Sequence, residues 1–363
     1  MHLFADISSH GLGHLAQAAP VLNALRQRLP ALRLTVRSGI SRDRLALRIA
    51  GNFSHIDAAS DFGFVMSNAL DIDLAASAAR YRNQHSQWRQ AVEREAASLQ
   101  TLAVDAVLSD IAYLPLAGAA AAGIPALAMC SLNWADMFLH YFGHQPWAKT
   151  IHAEILAAYR SAPFLRVTPA MAMESLPLRE AIGPIAALSR PDRHRVAQTL
   201  GIPAQHRWGL VALGGIAHRL PVEDWPHIPG LTWLVPGIWD VKRADVAAFD
   251  AADLPFSDVL AATDFVLTKP GYGTFVEASC QGVPVLYLRR PDWPEEPVLL
   301  AWLHANNRAI EISREQARQG DLAEALNRLQ SLPAPPPPAP TGIAEAADIL
   351  LGLLTPRVNI PAP

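Results

Sequence analysis

The run Ser8-Ser9-His10-Gly11-Leu12-Gly13-His14-Leu15-Ala16 carries two imidazoles four positions apart. On a helix that separation puts both rings on one face, as a pair of metal ligands requires. No third ligand lies nearby in sequence, and His10 reads as preceding the helix. His14, at the first turn, is suited to take a proton from a hydroxyl, because an imidazole titrates close to working pH. Such a base contributes on the order of 10²- to 10⁴-fold in rate. The structural alternative is a capping or packing histidine. A base needs a partner that orients it and stabilises its charged form. Asp110 follows the run Ala106-Val107-Leu108-Ser109, at a sheet edge where it would serve His14 or cap the next helix. Gly11, Gly13 and Ala16 also satisfy G-x-G-x-x-A, the pattern of a dinucleotide-binding turn. The next strand ends Arg37-Ser38-Gly39 with no acidic residue for a ribose, so Arg37 would have to read a 2′-phosphate instead.

The densest group of such residues runs from Asp264 to Tyr287 and includes Lys269-Pro270-Gly271-Tyr272-Gly273-Thr274, then Glu277 and Gly282-Val283-Pro284. An apolar strand entering a Gly-rich turn and a short helix offers free amides to a phosphate or pyrophosphate. Thr274 adds a hydroxyl and Lys269 a compact positive charge. Glu277, one turn into the helix, is placed to accept bonds from two ribose hydroxyls, or is an ordinary helix carboxylate. Gly214-Gly215, after an earlier strand, again lets a ligand approach the backbone. Glu295-Glu296 follows the strand after Gly282, where the pair could accept bonds from sugar hydroxyls. Paired carboxylates also occur in glycosidases and divalent-metal sites, although adjacent glutamates need not face one centre.

The elements that hold these residues alternate strand and helix. Leu3 to Ile7, Leu32 to Arg37, Ala103 to Leu108 and Ala126 to Met129 read as strands, with a helix over Leu15 to Arg28. A second series follows at Trp208 to Leu213, Thr232 to Val235, Phe265 to Leu267, Val283 to Tyr287 and Ala309 to Ile312. This is the pattern of two parallel α/β sheets. The proline-rich stretch Pro163 to Arg193 reads as the connection. The expected domains are 1–180, 181–332, and a tail 333–363 of proline spacer and helix that packs back on the first domain. With 363 residues the chain is long enough for two domains of about 150 to 200 residues. A net charge of −3, 17% charged and 51% hydrophobic residues argue against a basic nucleic-acid surface and against disorder. Cys130 and Cys280 make no disulfide framework, and an opening strand in place of a secretory signal points to the cytosol. The apolar stretch Ile111 to Trp134 is broken by Pro115 and Pro125 and reads as a buried helix and strand, not a membrane span. Seven arginines between Arg26 and Arg48 form either a solvated face or a peripheral contact to an anionic membrane or polyanionic acceptor. Among 30 basic residues only Lys149, Lys242 and Lys269 are lysine, so one of three falls in the phosphate motif.

Together these residues resemble the GT-B superfamily of nucleotide-sugar glycosyltransferases. The segment Lys269 to Ala278, Gly282-Val283-Pro284 and Glu295-Glu296 is similar in spacing to the donor signature of plant UDP-dependent enzymes, with Lys269 in place of its histidine and Glu296 in place of its glutamine. A nearer likeness is to the glycosyltransferase-like region of plant L-arabinokinases and bacterial relatives, which shares the G-x-G-H start, Ser109-Asp110-Ile111, Asn133-Trp134 and K-P-G-Y-G-T. The resemblance implies two Rossmann-like domains facing across a cleft. It implies transfer of a sugar, with inversion, from a UDP- or dTDP-linked donor to a hydroxyl acceptor, with no metal or other cofactor. His14 would be the base and Asp110 its partner, with His10, Gly11, Gly13, Asn133 and Trp134 on the acceptor side. Lys269, Gly273 and Thr274 would line the diphosphate, Glu277 would hold the ribose, Glu295 and Glu296 would approach the sugar and Phe256-Ser257 the base, with Gly214, Gly215, Gly271 and Tyr272 also expected on the donor side. A nucleotide-sugar epimerase and a non-catalytic binding module are the alternatives.

Overall fold

A computed structural model of the chain describes residues 1–216, 218–251 and 254–355. In chain order the first half contains β1 (His2–Ile7), α1 (Leu12–Arg28), β2 (Arg33–Ser38), α2 (Arg42–Ala46), β3 (Ser54–Asp57), α3 (Leu74–His85) and α4 (Trp88–Thr101). Then come β4 (Ala106–Asp110), α5 (Leu114–Ala122), β5 (Ala126–Cys130), α6 (Trp134–Phe142), α7 (Ala148–Arg160), β6 (Phe164–Val167) and β7 (Arg179–Ile182). The second half contains α8 (Arg193–Leu200), β8 (Arg207–Ala212), β9 (Leu231–Val235), β10 (Val246–Ala248), α9 (Phe256–Ala262), β11 (Phe265–Thr268) and α10 (Tyr272–Cys280). It continues with β12 (Val285–Tyr287), α11 (Glu296–Asn306), β13 (Ala309–Glu311), α12 (Arg314–Gln319), α13 (Ala323–Ser331) and α14 (Gly342–Leu354). No helix among the described residues is long and apolar enough to cross a membrane.

Every strand pairing is parallel, in two sheets of order β3-β2-β1-β4-β5-β6-β7 and β10-β9-β8-β11-β12-β13. All six positions of β1 are buried, as in a strand covered by helices on both faces. In each sheet the strand order reverses once, between β1 and β4 and between β8 and β11. Connections leave such a pair in opposite directions and open a crevice at the carboxyl ends. The motif after β1 and Asp110 share one reversal. Gly214-Gly215 and the Lys269 turn share the other.

The chain divides into two compact units, Met1–Val65 with Asp73–Ile185 and the chain from Thr341 on, and Met66–Ile72 with Ala186–Pro340. In the first, α14 lies on α1 and buries Ala346, Ala347, Leu350 and Leu354. Each fully buried leucine stabilises by roughly 1.5 to 3 kcal/mol. Arg28 pairs with Asp348, and the Gly183 N–H donates to Glu345 at 2.7 Å. Residues 356–363 of the tail lie outside the described residues. The second unit is built on Trp225, Trp233, Phe265, Leu267 and Leu286, and takes in Leu70 from the early segment. Asp71 accepts from both terminal nitrogens of Arg314, at 2.7 and 3.0 Å. Nothing in the sequence pattern marks Met66–Ile72 as belonging there.

The stretch Pro163 to Arg193 is not a simple connection, since β6 and β7 both fall within it and complete the first sheet. Four-residue strands between prolines are too short to display a period. Near Ala103 the chain turns with a φ of 49°, so β4 starts at Ala106 rather than three residues earlier.

Candidate functional site

Helix α1 begins earlier than its apolar period suggests, with Gly11 as N-cap, which puts His14 in the first turn. Asp110, the last residue of β4, pairs in register with Ile7, the last of β1. His14 Nδ1 lies 3.4 Å from Asp110 Oδ1 and 3.8 Å from Cys130 Sγ, at the end of β5. His14 is 8% exposed, and Asp110 and Cys130 are wholly buried. Burial opposes charge on the imidazole, but the Asp110 carboxylate and the Cys130 thiol outweigh it and hold His14 well above its ordinary value. Gln17 donates to Cys130 Sγ at 3.8 Å and to Ser131 Oγ at 3.4 Å.

Immediately after Asp110, Ile111 has a φ of 71°, a left-handed conformation that costs a β-branched residue on the order of 1 to 3 kcal/mol. The turn is pinned by Tyr159, whose hydroxyl donates to the Ile111 carbonyl and accepts from Trp134 N. His10 stays outside α1, its N–H bonded to Ser8 and its ring 5.3 Å from that of Trp134. The ligand-like cluster is therefore His14, Asp110 and Cys130 rather than His10 with His14. Gly63 lies close by with a φ of 59°, and a Cβ there would come within 2.7 Å of the His10 and Trp134 rings. Asn133 caps α6 through Asp136 N and is buried.

Two carboxylates absent from the sequence reading stand beside this pair. Trp134 Nε1 donates to Asp61 Oδ2 at 2.6 Å, and burial with the nearby Asp6 pushes Asp61 up to about 6, against His14, Trp134 and Ser8. Asp6 itself accepts from Ser60 at 2.6 Å and from Arg37 Nε at 2.5 Å. Arg37 also donates to both oxygens of Glu95, at 2.7 and 2.8 Å. That guanidinium is committed to three carboxylate oxygens and does not present itself to a 2′-phosphate. Elsewhere in the basic stretch, Arg26 reaches the Ala50 carbonyl and Arg42 the Phe53 carbonyl. An aspartate inside the otherwise apolar run Leu3 to Ile7 was a legible signal for Asp6. Asp61 had none, because the strand before it, Ser-His-Ile-Asp, does not alternate.

In the second unit, Thr268 donates to the Ala212 carbonyl at 2.6 Å and ties the end of β11 to that of β8. Gly271 is the N-cap of α10, with no side-chain cap and no acidic residue in the first turn, so positive N–H dipoles face outward. Lys269 lies across both glycine turns. Its Nζ is 3.9 Å from where a Cβ on Gly214 would stand and 3.5 Å from one on Gly271, and Gly214 has a φ of 88° that favours glycine. Burial and the Arg290 charge push the Lys269 amine down to about 7, against the pull of Glu295. Tyr272 and Gly273 are buried, while Thr274 is partly exposed.

Glu295 and Glu296 hold the loop that carries Arg289 and Arg290. Glu296 accepts from Arg290 N at 2.5 Å and from Arg289 at 3.1 Å, and Glu295 accepts from Trp293 Nε1 at 3.1 Å. The Arg290 guanidinium stacks on Trp293 at 4.2 Å. Glu277 is buried on α10, and burial with its charge pushes the Cys280 thiol up to about 12. Ser257, in the first turn of α9 beside Phe256, meets Ser189 Oγ at 3.0 Å.

No family model matches the chain. It is 27% identical over 277 residues to an L-arabinokinase of Arabidopsis thaliana, a match covering 75% of this chain and 27% of that protein. The chain thus spans about a quarter of the length of its curated relative. Among solved structures it is similar to CalG4, the calicheamicin glycosyltransferase, with a TM-score of 0.63, 16% identity and 98% of each chain covered. It is also similar to UDP-GlcNAc 2-epimerase from Neisseria meningitidis bound to UDP-GlcNAc, with a TM-score of 0.60, 15% identity and 98% and 99% covered. A third similar structure is glycosyltransferase VinC in complex with dTDP, with a TM-score of 0.56, 17% identity and 98% and 96% covered. At these identities the shared property is architecture: the chain has the GT-B fold of two Rossmann-like α/β domains.

Proposed function

We propose that this chain is a glycosyltransferase that moves a sugar from a nucleoside-diphosphate sugar, UDP- or dTDP-linked, to a hydroxyl acceptor with inversion. The observation that carries this is the buried His14–Asp110 pair, 3.4 Å apart at the carboxyl edge of its sheet. Nδ1 faces the carboxylate, so Asp110 holds the proton there and leaves the Nε2 lone pair to accept the acceptor proton. The acceptor oxygen bonds to the anomeric carbon as the bond from that carbon to the diphosphate oxygen breaks. The charge on the leaving diphosphate falls to Lys269, Thr274 and the amides at the head of α10. Those groups supply the neutralising charge without a metal, so a chelator is expected to leave turnover intact. The solved structures of similar fold that hold dTDP and UDP-GlcNAc support the donor class.

The same fold in a UDP-GlcNAc 2-epimerase favours a second candidate, an enzyme that alters the donor without an acceptor. Following UDP- and dTDP-sugars by NMR with and without a panel of hydroxyl acceptors separates the two. Glycoside formed only with acceptor supports transfer, and conversion of donor alone supports epimerisation. Binding with no product in either arm makes the chain a binding module. His14→Ala is expected to lower turnover about 10²- to 10⁴-fold while leaving donor binding unchanged.

A further inference from the structure

We propose that His14, Asp110 and Cys130 form a binding site for a divalent metal of the zinc class, and that filling it switches the base off. The three donors come from α1, β4 and β5, and their ligand atoms all lie within 4.8 Å of one another. The Nδ1 to Oδ1 distance is 3.4 Å and the Nδ1 to Sγ distance 3.8 Å. With metal bonds of about 2.0 to 2.1 Å to nitrogen and oxygen and about 2.3 Å to sulfur, tetrahedral ligands stand roughly 3.3 to 3.6 Å apart. His14 Nδ1 therefore stands close to coordinating distance from both Asp110 Oδ1 and Cys130 Sγ.

A second observation points the same way. Asp110 Oδ2 is buried and meets no hydrogen-bond partner among the described residues by its geometry, while the carboxyl as a whole is stabilised by His14 and the Cys130 thiol, the two other donors of the cluster. A cation that takes both carboxylate oxygens would satisfy Oδ2. One thiol, one imidazole and one carboxylate select zinc over calcium or magnesium, which take oxygen ligands. The Gln17 amide, 3.8 Å from Cys130 Sγ, is an outer partner for a thiolate there. No fourth histidine, cysteine, aspartate or glutamate joins the cluster among the described residues, which leaves a coordination position for water.

Binding displaces the Cys130 thiol proton to solvent and requires the Nδ1 proton of His14 to leave, the neutral ring keeping its one proton on Nε2, so that the Nδ1 lone pair goes to the metal. A neutral imidazole ligated through Nδ1 carries its proton on Nε2, so the lone pair that would accept the acceptor proton is gone. The effect on turnover rests on His14 being the base, whereas the site itself does not.

The test uses the full chain, stripped with chelator and titrated with Co(II), reading the near-ultraviolet thiolate-to-cobalt band. One equivalent is expected to give the band, and Zn(II) to bleach it. Cys280→Ser is expected to keep the band and Cys130→Ser to lose it. A wild-type protein with no thiolate band overturns the site without recourse to any variant, as does a band that survives Cys130→Ser. Zn(II) is further expected to suppress turnover reversibly, by tenfold or more at saturation, with recovery on chelation. Cobalt binding at Cys130 together with undiminished turnover in saturating Zn(II) overturns the switch and the assignment of His14 as base. A cobalt band in a protein that turns over no donor supports the site and counts against the proposed activity.

Discussion

Trp134 donates its indole N–H to the buried Asp61 carboxylate at 2.6 Å, and this bond joins the head of α6 to the loop after β3 beside His14. Removing one partner leaves a buried polar group unsatisfied, at a cost of about 1 to 3 kcal/mol, whereas removing both is nearly neutral apart from lost volume. Trp134→Phe is therefore expected to lower stability by about that much, and Trp134→Phe with Asp61→Leu to lose less than the sum of the two single changes. A double-mutant cycle by chemical denaturation reads the coupling, and strict additivity would contradict it.

The Asp110 carboxylate holds the His14 imidazolium well above 6.5, against burial. A general base works in its neutral form, so kcat/KM should fall as pH drops through a value above the usual histidine range. In Asp110→Asn the opposing charge is gone and burial remains, so the acid limb should move to lower pH while the maximum rate falls. The same shift means that the titration of His14 by itself favours the fold fully below 6.5 and progressively less as pH rises through its folded-state value, while burial raises Asp110 and so works against the fold once that carboxyl ionises. A pH–rate profile whose acid limb is unmoved in Asp110→Asn would refute the coupling.

Lys269, held near 7, is charged below that pH and neutral above it. Binding of a nucleoside diphosphate should therefore weaken as pH rises through 7 in the free protein and be accompanied by proton uptake. Lys269→Gln should bind more weakly at pH 6 and lose this pH dependence. Calorimetry in buffers of different ionisation enthalpy counts the protons, and zero uptake at pH 7.5 in the wild type would rule the lysine out.

Leu350, on α14, is fully buried in the first unit although it lies near the far end of the chain. Leu350→Ala is expected to cost about 2 to 5 kcal/mol. Hydrogen exchange should show the loss in α1 and β7, the elements α14 packs on, with the second unit unaffected.

Much of the fold was legible because buried parallel strands write themselves as apolar runs. Leu3 to Ile7 and Phe265 to Leu267 are such runs, each followed by glycines and a helix. The short edge elements were not, since β3, with Ser54, His55 and Asp57, and β7, with Arg179 and Glu180, have polar residues where a period would show. Lys269, the Gly271 turn and α10 are neighbours in sequence, so local rules sufficed to bring them together.

By itself the sequence determined two parallel α/β halves and which residues fall at the carboxyl ends of their strands, because strand and helix periods and glycine turns are local. Only the tertiary structure decided who meets whom. Parallel pairing of β1 with β4 carries Asp110 to His14 across 96 positions, and β5 adds Cys130 to the pair. The loop after β3 brings Asp61 to Trp134, and Arg37 is spent on Asp6 and Glu95. The Glu295-Glu296 pair turns to the loop of Arg289 and Arg290. The reason is physical: a side chain's charge state and partners depend on what other strands bring within a few ångströms, and sheet order, which no short window of sequence encodes, decides that.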